Sequence, residues 1–201
     1  MRDWWLRTLL VLQRPRPVFV ALRDDSSDAA GDRAEQVMLV VWLAGIALIL
    51  LDASNYLDPV GRDWLDLTIW AFLAGGIYGV FAYFVVGALL HGTVKALGSQ
   101  GSFRRTRHVL AFAATPLALS LVLWPLKLSL YGEDWFRSGG RDAGAGRAVF
   151  DLLTYGFFVW ALALLVTGVR SVHGWTWGRA AAACALAVAA PVAASLAVAF
   201  A

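Results

Sequence analysis

The sequence has a single cysteine, Cys184, in 201 residues. One cysteine excludes an internal disulfide and any metal cluster held by several thiolates. Motifs for common catalytic sites are also missing: the sequence has no phosphate-binding glycine loop, no HExxH pair and no recognisable Ser/His/Asp nucleophile set. We therefore expect no enzyme activity, no cofactor and no metal site.

Charged residues are scarce as well. They make up 15% of the chain, whereas soluble domains have roughly 25%, and 60% of the residues are hydrophobic, with a mean hydropathy of +0.66. The net charge of +3 does not indicate a nucleic-acid binder, because the basic residues are scattered between apolar runs. Arginine greatly outnumbers lysine, and alanine and glycine are abundant, which is typical of a GC-rich bacterial genome.

Most of the sequence consists of long runs without Asp, Glu, Lys or Arg. A membrane-crossing helix needs about 20 mostly apolar residues, and lipid offers no partner for backbone groups, so each run is predicted to be helical. The first run is the shortest and is expected to extend through Tyr56 in the membrane interface. The five runs are residues 36–51, 67–94, 108–126, 152–169 and 180–201.

The sequence thus predicts an all-α, polytopic integral membrane protein with five transmembrane helices and a short N-terminal interfacial helix. Residues 1–35 would form a cytoplasmic N-terminal region, and residues 36–201 the five-helix membrane domain. Near the N-terminus, Asp3, Arg7 and Arg14 fall on one side of a helix, whereas Trp5, Leu9 and Leu12 fall on another. Pro15 and Pro17 are expected to end this helix. The polar stretch 23–36 resembles a flexible linker.

The distribution of Lys and Arg predicts the orientation. Residues 1–35, 91–108 and 170–179 together hold twelve of them, whereas residues 52–66 and 127–151 hold five. The positive-inside rule then places the N-terminus in the cytoplasm and, after five crossings, the C-terminus outside. In a bacterium the host membrane would be the inner membrane.

The basic residues at the cytoplasmic helix ends form the candidate binding site. Basic side chains near an anionic leaflet each contribute about 1 kcal/mol of attraction, so contact with anionic lipid headgroups is expected there. A protein partner is the other candidate ligand of this rim. The residues proposed are Lys95, Arg104, Arg105, Arg107, Arg170 and Arg179.

Small residues along the second run predict close helix packing. Gly75 and Gly79 form a GxxxG pattern, and Gly87 continues the same face. The packing partner could be another helix of the chain or a second copy of it. Pro116 is expected to bend the third helix, where the hydroxyl of Thr115 can satisfy a freed carbonyl.

The span interiors carry no Asp, Glu, Lys or Arg in this reading, so they offer no group for intramembrane catalysis. His91, His108 and His173 all fall at predicted cytoplasmic ends. With no cysteine or nearby carboxylate at that level, they are interpreted as interfacial histidines rather than metal ligands.

The outline resembles the Yip1-domain family of small polytopic membrane proteins. The resemblance covers roughly residues 8–200 and is carried by two regions. The first is "GSFRRTRHVLAFAATPL", with Gly101, Ser102, Phe103 and Pro116. The second is "WALALLVTGVRSVHGWTWGRA", with Trp160, Gly168, His173, Arg179 and Ala180.

The resemblance implies a small polytopic membrane protein on the bacterial branch of the family, whose members have no settled function. Eukaryotic relatives are associated with Golgi and vesicle membranes and bind Rab-type GTPases, chiefly through a long cytosolic N-terminal region. This chain has only about 35 residues there, so we do not expect that activity.

The leading hypothesis is therefore a scaffold for membrane organisation, which engages anionic lipids or a protein partner through the basic cytoplasmic rim. The alternative is a permease or channel for ions or small solutes, in which kinks at Pro116 and Pro191 open a path. The absence of intramembrane charge and of inverted repeats counts against that alternative.

Overall fold

The fold was analysed in a computed structural model, which describes residues 2–51, 64–136 and 139–199. These residues form helices and connecting turns, with no strand among them. The expected extension of the first span through Tyr56 lies outside the described residues. In chain order the α-helices are α1 (Arg2–Leu10), α2 (Pro15–Ala21), α3 (Ser27–Asp32), α4 (Ala34–Leu51), α5 (Trp64–Ala96), α6 (Phe103–Ala113), α7 (Thr115–Leu119), α8 (Leu123–Tyr131), α9 (Ala145–His173) and α10 (Trp177–Ala199).

Within the described part of the chain, four stretches are long and apolar enough to cross a membrane. The fifth predicted span lies in α10, whose described side chains form an apolar stretch from Trp177 to Ala189. A multi-pass membrane protein is confirmed in outline, and the fifth crossing stays a prediction. The four stretches are Ala34–Leu51, Leu65–Ala96, Phe103–Trp135 and Ala145–His173.

The chain divides into two compact units. Unit 1 comprises Met1–Val37, Ala82–Ala113 and Leu162–Ala201, and unit 2 comprises Met38–Phe81 and Ala114–Ala161. The sequence segments of unit 1 hold twelve Lys and Arg against six Asp and Glu, for a net charge of +6. Those of unit 2 hold five against eight, for a net charge of −3.

The N-terminal region differs from the sequence expectation. Pro15 and Pro17 do not end the first helix: α1 ends at Leu10, and Pro15 opens α2. The reason is that proline at the first helical position loses no hydrogen bond and has a preset φ. The flexible linker expected at residues 23–36 was also wrong, because it contains α3, which the Ser26 side chain caps, and the buried Arg33 and Gln36.

In unit 1, α2 contributes the fully buried Phe19. The Phe19 ring lies against Gly168 of α9. A Cβ atom at Gly168 would be 2.8 Å from Phe19 Cε1 and 2.7 Å from Val109 Cγ1. Only glycine therefore leaves room for both side chains, and the N-terminal segment is anchored on α6 and α9.

Unit 2 contains a contact between the backbones of α4 and α5. A Cβ atom at Gly45 would lie 2.6 Å from Gly79 Cα, and one at Gly75 would lie 2.7 Å from Ile46 Cα. The GxxxG face of α5 thus packs against α4 of the same chain. Such close approach lets van der Waals contacts hold helices together where lipid supplies no hydrophobic drive.

The third candidate span is longer than the run 108–126 indicated. Its helix ends at Ala113, restarts at Thr115 just before Pro116, and continues as α8 to Tyr131. Lys127, which the sequence reading placed in a loop, lies inside this span. The helical stretch of the third span therefore continues past the lysine at which the sequence reading ended the run.

Candidate functional site

Several charged residues of unit 1 meet at the short turn between α2 and α3. The carboxylate of Asp24 folds back on this turn, where its Oδ1 accepts a hydrogen bond from the Ser26 backbone N–H (3.1 Å). Hydrogen bonds from Ser26 lower the pKa of Asp24, because they stabilise the charged carboxylate. The turn is thus fixed locally, which leaves Asp25 to point into the unit.

The Asp25 side chain, 13% exposed, accepts hydrogen bonds from residues at the start of α6. Arg104 Nε donates to its Oδ1 (3.1 Å), and Arg104 Nη2 donates to its backbone oxygen (2.6 Å). The Ser102 hydroxyl donates to Oδ2. Asp25, which lies in the segment expected to be a flexible linker, is therefore bound by Ser102 and Arg104 of the basic cluster at the start of α6.

Arg33 lies below this carboxylate and is 0% exposed. Its Nε donates to His108 Nδ1 (2.8 Å), its Nη2 donates to the Asp24 backbone oxygen (2.9 Å), and Nη2 is 3.8 Å from Asp25 Oδ1. A guanidinium can only donate, so His108 Nδ1 carries a lone pair and the ring is neutral. Burial lowers the pKa of Arg33, and the Asp25 carboxylate opposes that shift.

Two further arginines connect the turn to other segments of unit 1. Arg23 donates from Nε (3.1 Å) and Nη2 (2.6 Å) to the Ser171 backbone oxygen of α9. Arg105 Nη2 donates to the Arg23 backbone oxygen (2.6 Å). We call the whole set the arginine network: Arg23, Asp24, Asp25, Arg33, Ser102, Arg104, Arg105, His108 and Ser171.

Three other arginines proposed for binding lie over aromatic rings. Arg107 Cζ is 4.4 Å from the ring centroid of Phe84, and Gly87 leaves space for its aliphatic stem. Arg170 Cζ is 4.5 Å from the Trp177 ring. Such cation–π contacts stabilise a guanidinium by about 0.5–1 kcal/mol at exposed sites.

Arg179 has two contacts at the end of unit 1. Its Cζ lies 4.4 Å from the Trp175 ring centroid, and its Nη2 donates to the Leu97 backbone oxygen. With Arg104 and Arg105 in the arginine network, five of the six proposed binding residues have contacts inside the protein.

Lys95 is the one proposed binding residue for which the described part of the structure gives no such contact. Two arginines of the N-terminal segment, Arg14 and Arg16, resemble it in this respect. Lys95, Arg14 and Arg16 are exposed. No ion pair joins any of them to an acidic residue within the described part of unit 1. The structure brings together the network residues and leaves these three charges available to a ligand.

The apolar side chains of α1 divide into two sets. Trp4 is buried, and its ring centroid is 5.9 Å from that of Phe112 in α6. Leu6 and Leu9, on the other side, are 61% and 62% exposed. The helix therefore rests on unit 1 with one face and presents large apolar side chains on the other.

The three histidines bond to neighbouring side chains rather than to one another. His91 Nδ1 is 3.3 Å from the Thr106 hydroxyl, and His173 Nδ1 is 3.0 Å from that of Ser99. His108 accepts from Arg33. Across residues 2–51, 64–136 and 139–199, no group of three His, Cys, Asp or Glu residues is placed to hold a metal ion.

Lys127 in unit 2 is a buried cation that the sequence reading missed. Its Nζ is 4.0 Å from the centroid of the Trp135 ring and 5.5 Å from that of Phe150. A cavity of about 20 Å³ lies beside it, lined also by Ser120 and Thr154. That volume holds about one water molecule, since a water needs about 10–15 Å³ of such space.

The comparison with family models agrees with this architecture. The model described as "Yip1 domain" matches residues 9–199, nearly the whole chain. The chain belongs to the Yip1 domain family. No curated protein and no solved structure gives a match.

The geometry supplies physical reasons for residues that carried the Yip1 resemblance. Ser102 caps α6 by accepting from the Arg105 backbone N–H (3.0 Å) while it binds Asp25. The Gly101 backbone N–H donates to Ser99 Oγ (3.0 Å), and a Cβ at Gly101 would lie 3.0 Å from His173 Cε1. The Gly-Ser-Phe entry of this Yip1 domain thus joins the start of α6 to the end of α9.

Proposed function

We propose that this Yip1 domain is a non-enzymatic protein of a bacterial inner membrane that organises the bilayer by holding anionic lipids at its basic end. The N-terminus would lie in the cytoplasm and the C-terminus outside. The chain segments assigned to the cytoplasm by the positive-inside rule all fall in unit 1, which supports a common basic end.

The observation that carries the proposal is the joint exposure of unpaired cations and apolar side chains in the N-terminal segment. Arg14 and Arg16 follow α1, whose Leu6 and Leu9 are exposed. An amphipathic helix with apolar residues on one side and nearby basic residues suits the boundary between acyl chains and anionic headgroups. Lys95 adds a third free cation from the end of α5.

The arginines with internal contacts have a different role in this proposal. Arg104, Arg105, Arg107, Arg170 and Arg179 position the ends of the helices, and their remaining hydrogen-bond donors contact headgroups. Lipids are preferred over a second copy of the chain, because the Gly75 and Gly79 face already packs against α4. A protein partner would be an outcome of the test below.

The permease alternative receives less support. The cavity beside Lys127 has room for about one water molecule, which is too small for a solute. Lys127 is nevertheless the kind of buried ionisable residue that transport proteins use. Flux of ions or small solutes into liposomes that contain the purified protein is the measurement that would favour this alternative.

The proposal is tested by native mass spectrometry of the protein in nanodiscs that mix phosphatidylglycerol and phosphatidylcholine. Wild type is expected to retain phosphatidylglycerol preferentially. The variant R14Q/R16Q/K95Q should retain it about a hundredfold less tightly at low ionic strength, from about 1 kcal/mol for each basic residue near an anionic surface. A co-purified protein instead of lipid would favour the partner.

The matched control is R62Q/R137Q/R141Q, which makes the same charge change in the segments predicted to face outside. Both leaflets of a nanodisc carry phosphatidylglycerol, so some loss is expected, but it should be much smaller than that of R14Q/R16Q/K95Q, because Arg141 is already paired with Asp134 (2.7 Å). If both triple variants lose lipid equally, net charge rather than the basic end determines binding, and the proposal is wrong.

A further inference from the structure

Two arginines and a serine surround the single carboxylate of Asp25. Arg104 Nε is 3.1 Å and Arg33 Nη2 is 3.8 Å from Asp25 Oδ1, and the Ser102 hydroxyl binds Oδ2. We infer that this is a phosphate-binding site of the Yip1 domain, which the Asp25 carboxylate occupies as an internal competitor. The inference rests on the proposed function and adds to it the site and its ligand chemistry.

The donors around Asp25 suit a phosphate group. Arginine binds phosphate oxygens with parallel N–H donors, and a serine hydroxyl adds one more. The site also lies at the N-terminus of α6, an 11-residue helix whose first backbone N–H groups and dipole favour an anion. A phosphodiester presents the same anionic oxygens as the carboxylate, so it can replace Asp25 without any other change in the donors.

The site is open on one side and closed on the other. Ser102 is exposed and the Arg104 side chain is 42% exposed, whereas Arg33 is 0% exposed. A ligand therefore enters past Ser102 and Arg104 and meets Arg33 at the bottom. Since α6 begins the candidate span Phe103–Trp135, its N-terminus lies where headgroups are expected.

Phosphate binding would release the segment that contains α3. Asp25 is held through Ser102, Arg104 and Arg33, and a phosphate that takes these donors removes all three contacts. Arg23 stays bound to Ser171 of α9, so the release concerns the residues after the turn. By linkage, if phosphate binding favours the freed state of Asp25 by a given factor, then freeing Asp25 strengthens phosphate binding by that same factor.

The test compares Asp25→Asn with Asp28→Asn in nanodiscs of phosphatidylglycerol and phosphatidylcholine. Asp28 is exposed, and its replacement makes the same charge change outside the site. D25N should retain phosphatidylglycerol about fivefold more tightly than wild type, as expected for one additional free cation, and D28N should stay within about twofold. Equal behaviour of the two variants would overturn the inference.

A second readout uses trypsin, which must reach the buried Arg33 to cleave after it. In wild type, cleavage there should be faster in phosphatidylglycerol than in phosphatidylcholine, and D25N should be cleaved rapidly in both. This wild-type comparison holds even if D25N fails to fold, which SDS titration would reveal. Cleavage after Arg33 that does not depend on lipid overturns the inference.

Inorganic phosphate added to phosphatidylcholine nanodiscs distinguishes the two sources of the ligand. Faster cleavage in wild type with phosphate alone assigns the site to free phosphate, and faster cleavage with phosphatidylglycerol alone assigns it to the lipid. The proposed function fails separately, if wild type retains both lipids equally. If wild type prefers phosphatidylglycerol but D25N and D28N retain it equally tightly, the proposed function stands and only the Asp25 site is wrong.

Discussion

Replacing Gly79 by alanine tests the contact between α4 and α5. The new Cβ would lie 3.0 Å from Gly45 Cα and closer still to the carbonyl oxygen of Val41. Carbon atoms in favourable contact are about 3.5–4.0 Å apart, so the two helices must separate by roughly 0.5–1 Å at this point. Overpacking of this kind costs about 1–3 kcal/mol. We expect G79A to lower the free energy of unfolding by that amount.

The assay is SDS titration in mixed micelles, followed by the fluorescence of the ten tryptophans. Gly92→Ala is the matched control, because Gly92 lies on the same helix and a Cβ there has nothing within 4 Å. Alanine is the better helix former by about 0.5–1 kcal/mol, so G92A should be neutral or slightly stabilising. If G79A is as stable as G92A, the close backbone contact does not exist.

Three further outcomes are expected. Ser99→Ala should cost about 1–3 kcal/mol in the same titration, because it leaves a buried backbone N–H without its partner, whereas the exposed Ser129→Ala should be nearly neutral. With Cys184 replaced by alanine, an impermeant maleimide added to intact cells should label R141C but not K95C, and labelling of both contradicts an odd number of crossings between them. Raising the ionic strength should weaken retention of anionic lipid, since salt screens exposed charges, and a salt-independent preference would exclude electrostatic binding.

Hydropathy predicted the helical membrane fold because charge is absent over long runs. The second run, residues 67–94, falls inside α5 with only a few residues missing at each end. The third run was underestimated because a lysine ends it. Burial of Lys127 under the Trp135 ring depends on a cation–π contact, and hydropathy contains no information on such pairing.

The candidate site was only partly predictable. Clusters of arginine are visible in a sequence, but whether each one faces solvent depends on distant acids and carbonyls. Arg104 and Asp25 are 79 residues apart, and nothing in either segment indicates the pair. The polar stretch 23–36 looked like a linker because its composition is that of a turn, yet Arg33 becomes the most completely buried charged side chain of the network.

Pro15 shows that proline can either end or begin a helix, depending on its position. Proline inside a helix removes a hydrogen bond, which made Pro15 a stop signal in the sequence. At the first position of a helix that hydrogen bond does not exist, so Pro15 starts α2 instead. The choice is made by tertiary packing, because α2 buries Phe19 against α9.

The arginine network has a consequence for biosynthesis. Arg33 bonds to a histidine 75 residues further along the chain, and Arg23 to a carbonyl 148 residues further along. At a synthesis rate of about 5–20 residues per second, the ribosome needs roughly 4–15 s to supply the first partner and roughly 7–30 s to supply the second. During that interval neither guanidinium has the partner that it contacts in the folded chain. With the N-terminus in the cytoplasm, as proposed, these two charges would oppose its translocation while the later helices are being inserted.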